Sequence, residues 1–211
     1  MIRVLVNGAD GRMGSQVVKA VVADNELELV GGVSISHIGE DLGEIAGIGA
    51  LGLAVRAGLG TAVDELKPDV VIDFTTPQAV YGNVKTCIAH GVDIVVGTTG
   101  LTEKQREELG EEAKRGDTSL FIAPNFSIGA VLLMKVSADI AAYFPDAEII
   151  ELHHNNKLDA PSGTAVMTAD KIAAARRKAG AVPAPDRTRE SLEGARGASV
   201  QAVPVHSVRL P

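Results

Sequence analysis

The sequence is short of several residue types, and each shortage excludes a class of protein. Its 211 residues include one cysteine, Cys87, so no internal disulfide can form and a reducing compartment is favoured. There is no tryptophan, and two tyrosines with four phenylalanines give little material for stacking on nucleic-acid bases. No apolar run approaches the roughly 18 residues of a membrane-spanning helix. We expect a cytoplasmic protein with neither nucleic acid nor membrane as a partner.

The remaining composition is typical of a packed globular chain, with 45% hydrophobic and 22% charged residues. The formal net charge of −7 at pH 7 argues against a general binder of polyanions. A local basic pocket can still hold a small anion, so a small-molecule ligand is favoured.

The first part of the chain alternates short β-branched runs with segments of helical periodicity. The predicted strands are residues 2–6, 27–33, 70–74, 93–96 and 120–123. The predicted helices are residues 13–23, a helix from Pro77 with Thr76 as its N-cap, and a helix to about Lys114 that a capping box at Thr102 begins. This order predicts a doubly wound, mostly parallel sheet. Residues 31–60, which hold nine of the 23 glycines, show no clear pattern.

The pattern changes near Asn125, and a domain boundary is predicted at about residue 126. The two predicted domains are residues 1–126 and 127–211. The second contains predicted helices at 127–144 and 163–179, predicted strands at 147–154 and 200–210, and a flexible excursion at 180–199.

A glycine-rich turn, Gly8, Gly11 and Gly14, follows the first predicted strand and leads into the first predicted helix. Its G-x-x-G-x-x-G spacing differs from the standard G-x-G-x-x-G dinucleotide fingerprint. We expect Gly8 to form the tight turn, Gly11 to let the backbone approach a pyrophosphate, and Gly14 to let the helix pack on the sheet. The helix N-terminus, with Arg12, favours phosphate binding over a plain βα turn.

The end of the second predicted strand lacks the acidic residue that would bind ribose hydroxyls. No Asp or Glu occurs there before Glu40, and no Lys or Arg is present for a 2′-phosphate. Ser34, Ser36 and His37 can hydrogen-bond to either cofactor, or can be ordinary loop residues. The choice between NADH and NADPH stays open.

Three further segments, residues 73–76, 97–100 and 123–126, follow predicted parallel strands. Open α/β sheets bind ligands at this edge. Each segment is weak alone, because Thr and Gly also cap helices, but together with the glycine turn they predict a cofactor site.

The most specific stretch is residues 151–165, ELHHNNKLDAPSGTA. Two histidines and a lysine at a strand end form a cationic pocket that can give up a proton. The helix start that follows offers N–H groups and hydroxyls to a carboxylate, which suits reduction of a small carboxylate-bearing substrate. The candidate residues are His153, His154, Lys157, Ser162, Gly163 and Thr164.

Other interpretations of this stretch are open. Adjacent histidines on a strand point to opposite faces, so one can be structural. Glu151, His153 and Asp159 can be combined into a zinc site, but no metal is our prediction. Ser162 can be an N-cap, and no Gly-x-Ser-x-Gly elbow supports a hydrolytic role for it.

These motifs closely resemble the bacterial 4-hydroxy-tetrahydrodipicolinate reductase family, also called dihydrodipicolinate reductase, of lysine and diaminopimelate biosynthesis. The matching segments are residues 8–14, 73–75, 97–100, 123–129 and 151–165. The resemblance implies an α/β fold: a Rossmann-type doubly wound parallel sheet, then a smaller α/β substrate and oligomerisation domain that forms a homotetramer through its sheet.

The resemblance also implies site roles. His153 and Lys157 are the acid/base and proton-donor pair, while His154, Gly163 and Thr164 contact a small dicarboxylate substrate, with Ser162 beside them. The cofactor, NADH or NADPH, is lined by Gly8, Ala9, Asp10, Gly11, Arg12, Met13, Gly97, Thr98, Thr99, Ala123, Pro124, Asn125 and Phe126.

Family members continue past Pro211 with further strands and a closing helix, so we expect the C-terminal part of the family domain to be absent. The predicted homotetramer depends on a complete C-terminal sheet. The leading hypothesis is NAD(P)H-dependent reduction of 4-hydroxy-tetrahydrodipicolinate to tetrahydrodipicolinate, by hydride delivery to the ring and then protonation. The alternative is a non-catalytic dinucleotide-binding protein of the same family.

Overall fold

The computed structural model describes residues 1–123 and 125–211, and the chain divides into two units, Met1–Pro124 and Asn125–Pro211. Among the described residues, no helix combines the length and the apolar character needed to cross a bilayer.

A five-stranded parallel sheet forms the centre of the first unit. Its strands are β1 (Ile2–Asn7), β2 (Leu27–Val33), β3 (Val70–Asp73), β4 (Asp93–Val96) and β5 (Leu120–Ile122), in the order β2-β1-β3-β4-β5. Each neighbouring pair is parallel. The chain reverses direction across the sheet between β1 and β3, which confirms the predicted doubly wound arrangement.

Helices cover the sheet and connect its strands. They are α1 (Arg12–Ala23), α2 (Leu42–Ala46), α3 (Leu59–Leu66), α4 (Val80–Ala89) and α5 (Glu103–Arg115). The core has two parts because successive strand residues point to opposite faces. Leu5 packs in one cluster with Val71 and Ile94, whereas Val4 and Val6 pack in the other.

The glycine-rich stretch 31–60 is organised around Asp41, the N-cap of α2. Its carboxylate accepts the backbone N–H groups of Gly43, Glu44, Leu51 and Gly52 at 2.7–3.2 Å. These donors, that of Leu51 foremost, hold the pKa of Asp41 below its ordinary value. A single carboxylate thus fixes a loop that has no periodicity of its own.

The helix ends in the first unit test the capping predictions. The capping box at Thr102 is confirmed, since its hydroxyl accepts Gln105 N–H while the Gln105 side chain accepts Thr102 N–H. The helix expected from Pro77 begins three residues later, at Val80. The Thr76 carbonyl instead accepts Ala79 N–H at 3.0 Å, because proline suits the second position of a turn as well as a first helical turn.

The second unit packs two helices on a three-stranded mixed sheet. Its elements are α6 (Ile128–Ala141), β6 (Ile149–His154), α7 (Gly163–Ala179), β7 (Ala198–Val200) and β8 (Val203–Leu210). The strand order is β6-β8-β7, with β6 parallel and β7 antiparallel to β8. Small residues of α7, among them Ala165, Ala169 and Ala173, pack with Val203 and Val205 of β8.

The strand predicted at 200–210 is confirmed over Val203–Leu210, but its first residues belong to a second strand and a turn that were not predicted. Residues 198–210 form a hairpin whose turn residues, Gln201 and Ala202, have φ values of 51° and 62°. This turn geometry normally favours Asn-Gly, and Gln-Ala lacks that signature, so the hairpin was missed. The segment before it is held by Arg196, whose guanidinium contacts Glu148 at 2.6 Å and Asp186 at 2.9 Å.

Candidate active site

Two glycines of the turn after β1 are required by the turn itself. Gly8 has φ +78°, and a Cβ there would lie 2.4 Å from the carbonyl oxygen of Phe74. A Cβ at Gly14 would lie 1.9 Å from the carbonyl oxygen of Gly8. Because both neighbours are backbone atoms, neither position accepts a side chain without moving the chain.

Gly11 differs from the other two glycines. Its φ of −69° and ψ of 163° suit any residue, and a Cβ there would meet only the Gly8 carbonyl oxygen, at 3.2 Å. The turn therefore makes a weaker demand for glycine at this position. A bare backbone at Gly11 leaves the space that a ligand would use.

The N–H groups of the turn divide into two sets. Those of Gly8 and Ala9 both donate to the Val33 carbonyl, at 2.8 and 3.1 Å, so they hold the turn to β2. Arg12 and Met13 are exposed and begin α1, where backbone N–H groups have no acceptor within the helix. The first turn of α1 contains no acidic residue. These donors and the positive end of the helix dipole suit an anionic pyrophosphate.

A buried carboxylate, Asp73, ties the strand ends together. It is 0% exposed and accepts hydrogen bonds from Asn7 Nδ2, Asn83 Nδ2 and Thr98 Oγ1 at 2.7–2.8 Å, and from Thr75 Oγ1 at 2.9 Å. Asp73 begins the segment 73–76 of the predicted cofactor site, but its role in joining the strand ends was not predicted. The signal for it was a charged residue that ends an otherwise apolar strand.

The predicted cofactor segments of the first unit lie at one edge of the sheet. In register, Asn7 pairs with Asp73, and Asp73 pairs with Val96. The turn at Gly8, the segment after Asp73 and residues 97–99 therefore follow adjacent strands. Ala123 N–H continues the series by donating to the Val96 carbonyl at 3.0 Å.

The remaining members of the predicted cofactor set fall elsewhere. Asn125 and Phe126 belong to the second unit, where Asn125 Nδ2 donates to Thr164 Oγ1 at 3.0 Å. Pro124 lies outside the described residues.

A basic residue, Arg56, lies beside the end of β2, which was not predicted from the sequence. The backbone of Arg56 pairs with β2, since Arg56 N–H donates to the Gly32 carbonyl and Ser34 N–H donates to the Arg56 carbonyl. The Arg56 guanidinium is paired with Glu65 of α3. This position could not be predicted from the sequence, because Arg56 is more than twenty residues from Ser34 along the chain.

In the second unit, Glu151 and His153 lie two residues apart on β6 and therefore share a face. Glu151 is buried, and its Oε1 accepts Ser162 N–H at 3.1 Å and Arg209 Nη2 at 3.2 Å. Its Oε2 lies 3.2 Å from His153 Nδ1. Burial raises the pKa of Glu151, but the hydrogen bonds from Ser162 and Arg209 help to outweigh burial and bring it to about 2.

The other two cationic candidates are His154, which ends β6, and Lys157, which follows it. His154 is exposed, whereas His153 is partly buried, in keeping with opposite faces for adjacent strand residues. Lys157 N–H donates to the His154 carbonyl, and its ammonium contacts Asp159 Oδ1 at 2.6 Å. That hydrogen bond from Lys157 holds the pKa of Asp159 below its ordinary value.

Arg209 of β8 lies beside Glu151, His153 and Asp159. It was not predicted from the sequence. It is registered opposite His153, and its Nη2 donates to the Asp159 carbonyl at 2.6 Å as well as to Glu151. Only the pairing of β6 with β8 brings it there, so nothing near residues 151–165 in the sequence signals it.

The start of α7 supplies the anion-binding geometry. Ser162 is its N-cap, accepting Ala165 N–H at 3.2 Å, while Gly163 has open space around its Cβ position. A cavity of about 670 Å³ in the second unit is lined in part by Asn125, His153, Ser162 and Thr164.

Three of the predicted substrate residues do not line that cavity, although all three are described: His154, Lys157 and Gly163. Over the described ranges, 1–123 and 125–211, the structure gathers no group of three or more His, Cys, Asp or Glu side chains able to hold a metal ion. Glu151 Oε2 and His153 Nδ1 therefore form a contact of two residues within the described ranges.

Comparison with known proteins gives two matching family models. Residues 2–126 match the model described as dihydrodipicolinate reductase, N-terminus, and residues 129–211 match dihydrodipicolinate reductase, C-terminus.

Individual relatives agree with the family models. The chain is 48% identical to a 4-hydroxy-tetrahydrodipicolinate reductase of Listeria welshimeri, over 100% of this chain and 79% of that protein. It is 45% identical to the same-named protein of Syntrophomonas wolfei, over 99% and 78% of the two chains. A solved structure of dipicolinate-bound dihydrodipicolinate reductase from a Paenisporosarcina species matches with a TM-score of 0.77 and 43% identity, over 100% of this chain and 79% of that one.

Proposed function

The chain belongs to the dihydrodipicolinate reductase family, and from that premise we propose which of its residues perform the reaction. The activity is NAD(P)H-dependent reduction of 4-hydroxy-tetrahydrodipicolinate in lysine biosynthesis. The observation that carries the residue assignment is the cluster in the second unit, where His153, Lys157 and Arg209 gather around the N-terminus of α7.

The glycine turn of the first unit fits a dinucleotide. The space at Gly11 and the first-turn N–H groups of Arg12 and Met13 suit the pyrophosphate. Thr98, fixed by its hydrogen bond to Asp73, belongs to the same sheet edge. When bound, the reduced nicotinamide supplies a hydride. The proposed cofactor residues are Gly8, Ala9, Asp10, Gly11, Arg12, Met13, Gly97, Thr98, Thr99, Ala123, Pro124, Asn125 and Phe126.

The second unit holds the dicarboxylate substrate. Ser162, Gly163 and Thr164 start α7, where the helix dipole and the Thr164 hydroxyl attract a carboxylate, while the Ser162 N–H is already engaged by Glu151. His154 adds a donor at the end of β6. The open space at Gly163 lets a ligand approach the backbone closely.

His153 and Lys157 act as the acid pair. Negative charge develops on the substrate ring as it gains a hydride, and the two cationic side chains stabilise that charge. One of them then gives a proton to the ring. The ammonium of Lys157 is held by its ion pair with Asp159, and a cation fixed in this way suits charge stabilisation. His153 lines the cavity and is the more direct donor.

Both NADH and NADPH serve as the cofactor. No carboxylate occurs between the end of β2 and Glu40 to favour a free ribose hydroxyl, and Arg56, the basic group beside the strand end, is engaged by Glu65. The enzyme therefore has no strong preference for either cofactor.

The working form, where the C-terminal sheet is complete, is a homotetramer in the cytoplasm. Apolar side chains of α6 and β6, including Leu132, Leu133, Ile150 and Leu152, are 54–67% exposed, as expected of a surface that another copy covers. Cys87 is buried and unpaired, which suits a reducing compartment.

The test of function is oxidation of NADPH and NADH by the purified chain, with the substrate generated enzymatically in the assay. Turnover with either cofactor supports the proposal. Binding of NADPH, measured by fluorescence, without any turnover contradicts it and favours a non-catalytic dinucleotide-binding protein.

A further inference from the structure

The contact between Glu151 and His153 has a chemical consequence for the reaction. Oε2 of Glu151 and Nδ1 of His153 lie 3.2 Å apart, both atoms are buried, and neither forms a hydrogen bond among the described residues, with the other or elsewhere. The two atoms are therefore within ion-pair distance but are not hydrogen-bonded in this orientation of the imidazole. A buried polar atom without a partner is costly, so a small rotation of the ring that places a proton between the two atoms is favourable.

The proton in this pair belongs to the histidine. Glu151 is held ionised by its hydrogen bonds, with a pKa of about 2, and an ionised carboxylate only accepts hydrogen bonds. Nδ1 of His153 must then carry a hydrogen in both the neutral and the charged ring. The nitrogen that gains and loses a proton is consequently Nε2.

We propose that Glu151 is a positioning residue that fixes the tautomer of His153, so that Nε2 is the atom which delivers a proton to the substrate. This inference rests on the proposed function of His153 and adds a role for the carboxylate two residues before it. Glu151 also lines the cavity, but its Oε1 is held by Ser162 and Arg209, so in this account it acts on the substrate through His153.

The other contacts of Glu151 hold its carboxylate in position for this role. Oε1 binds the backbone N–H of Ser162 at the start of α7 and the guanidinium of Arg209 on β8. The carboxylate is thereby fixed from two elements before it meets the imidazole of β6. The nearby charged groups are Arg209, the Lys157–Asp159 pair, and the cavity-lining Asp146 and Glu148. Among these, Glu151 is the carboxylate within ion-pair distance of His153.

The first experiment reads the tautomer without reference to activity. Nitrogen-15 NMR of the histidine-labelled chain, with the His153 signals assigned by loss in His153→Gln, is followed through a pH titration. We expect the neutral ring to carry its hydrogen on Nδ1. A neutral ring with its hydrogen on Nε2 overturns the proposal, and this measurement needs no Glu151 variant that must fold.

The second experiment compares three variants. Glu151→Gln keeps an oxygen for Ser162 but can turn an N–H toward Nδ1, so we expect the opposite tautomer and a kcat lower by at least about tenfold. The KM for the cofactor should stay within about twofold, since the nucleotide-binding turn is in the other unit. Glu151→Asp, which keeps the charge, should retain the parent tautomer, and Glu193→Gln, at an exposed site of the same unit, should match the parent.

The outcomes separate the two claims. If Glu151→Gln folds and keeps both the parent tautomer and the parent kcat, the positioning role is wrong while the proposed function stands. If the tautomer is as expected but His153→Ala turns over at the parent rate, the role of His153 in catalysis fails instead.

Discussion

At the scale of single residues, the three glycines of the turn after β1 have different roles. Gly8 and Gly14 are required because a Cβ would enter the backbone of the turn, whereas a Cβ at Gly11 would make one tight contact. The sequence predicts that all three glycines matter, because they share one spacing. It does not predict which of them the fold needs, since that depends on where Phe74 and Gly8 place their carbonyl groups.

The glycine turn gives a prediction with a matched pair. Gly11→Val should fold and lose affinity for NADH and NADPH by at least about tenfold, because its side chain fills the space proposed for the pyrophosphate. Gly14→Ala should lower the unfolding temperature, because its Cβ would lie 1.9 Å from a carbonyl oxygen. Thermal unfolding and fluorescence titration check both. Unchanged cofactor affinity in folded Gly11→Val contradicts the pyrophosphate assignment.

Asp73 gives a prediction about stability. Asp73→Ala leaves the buried amide of Asn7 and the hydroxyl of Thr98 without their acceptor, so the free energy of unfolding should fall by about 3 kcal/mol or more. Asp73→Asn retains one acceptor and should lose less. Urea unfolding measures both variants. A loss below about 1 kcal/mol for the alanine variant contradicts the role of Asp73 in joining the strand ends.

At the scale of elements, periodicity predicted the parallel strands and the helices with strong caps, but it failed where long-range contacts decide. The segment around Asp41 has no period because one carboxylate organises it through four backbone donors. Arg209 and Arg56 were missed because strand pairing, and not proximity in sequence, brings them to their sites.

The pairing of β2 with Arg56 leads to a prediction on cofactor preference. Glu65→Gln removes the charge that engages the Arg56 guanidinium, which then becomes available to a 2′-phosphate. We expect the ratio of kcat/KM for NADPH over NADH to rise by about fivefold to tenfold. Adding Arg56→Ala to Glu65→Gln should cancel the increase. If the ratio does not move in Glu65→Gln, Arg56 lies outside the reach of the cofactor.

At the scale of the whole molecule, the exposed apolar side chains of the second unit predict self-association. Ile150 and Leu152 alternate with Glu151 on β6 and are 67% and 59% exposed. We expect sedimentation velocity to show a tetramer, and Ile150→Lys to shift it toward smaller species, because a charge would be buried in the interface. Val182→Lys, at an exposed loop position, is the control. A parent chain that is monomeric at all concentrations contradicts the proposed assembly.

Across the whole chain, the motifs in sequence order were enough to predict the family, which the comparisons confirm, and the fold class, which the structure confirms. Residues 8–14 and 151–165 carried most of that information, because their chemistry is local. The network behind them, formed by Asp73 in one unit and by Glu151 with Arg209 in the other, is non-local and became visible only with the structure.

The central claim is that His153 and Lys157 are needed to protonate the substrate and that the cofactor binds without them. The most direct measurement is kcat together with NADPH affinity for His153→Ala, Lys157→Ala and Lys157→Arg. We predict that both alanine variants lose about 10²–10⁴-fold in kcat and bind NADPH like the parent, while Lys157→Arg retains charge but is a poor acid. Near-full turnover in Lys157→Arg would agree with His153 as the donor and Lys157 as a stabilising charge, whereas a loss as large as that of Lys157→Ala would make Lys157 the proton donor. If both alanine variants reduce substrate at the parent rate, the segment after Glu151 is not the active site.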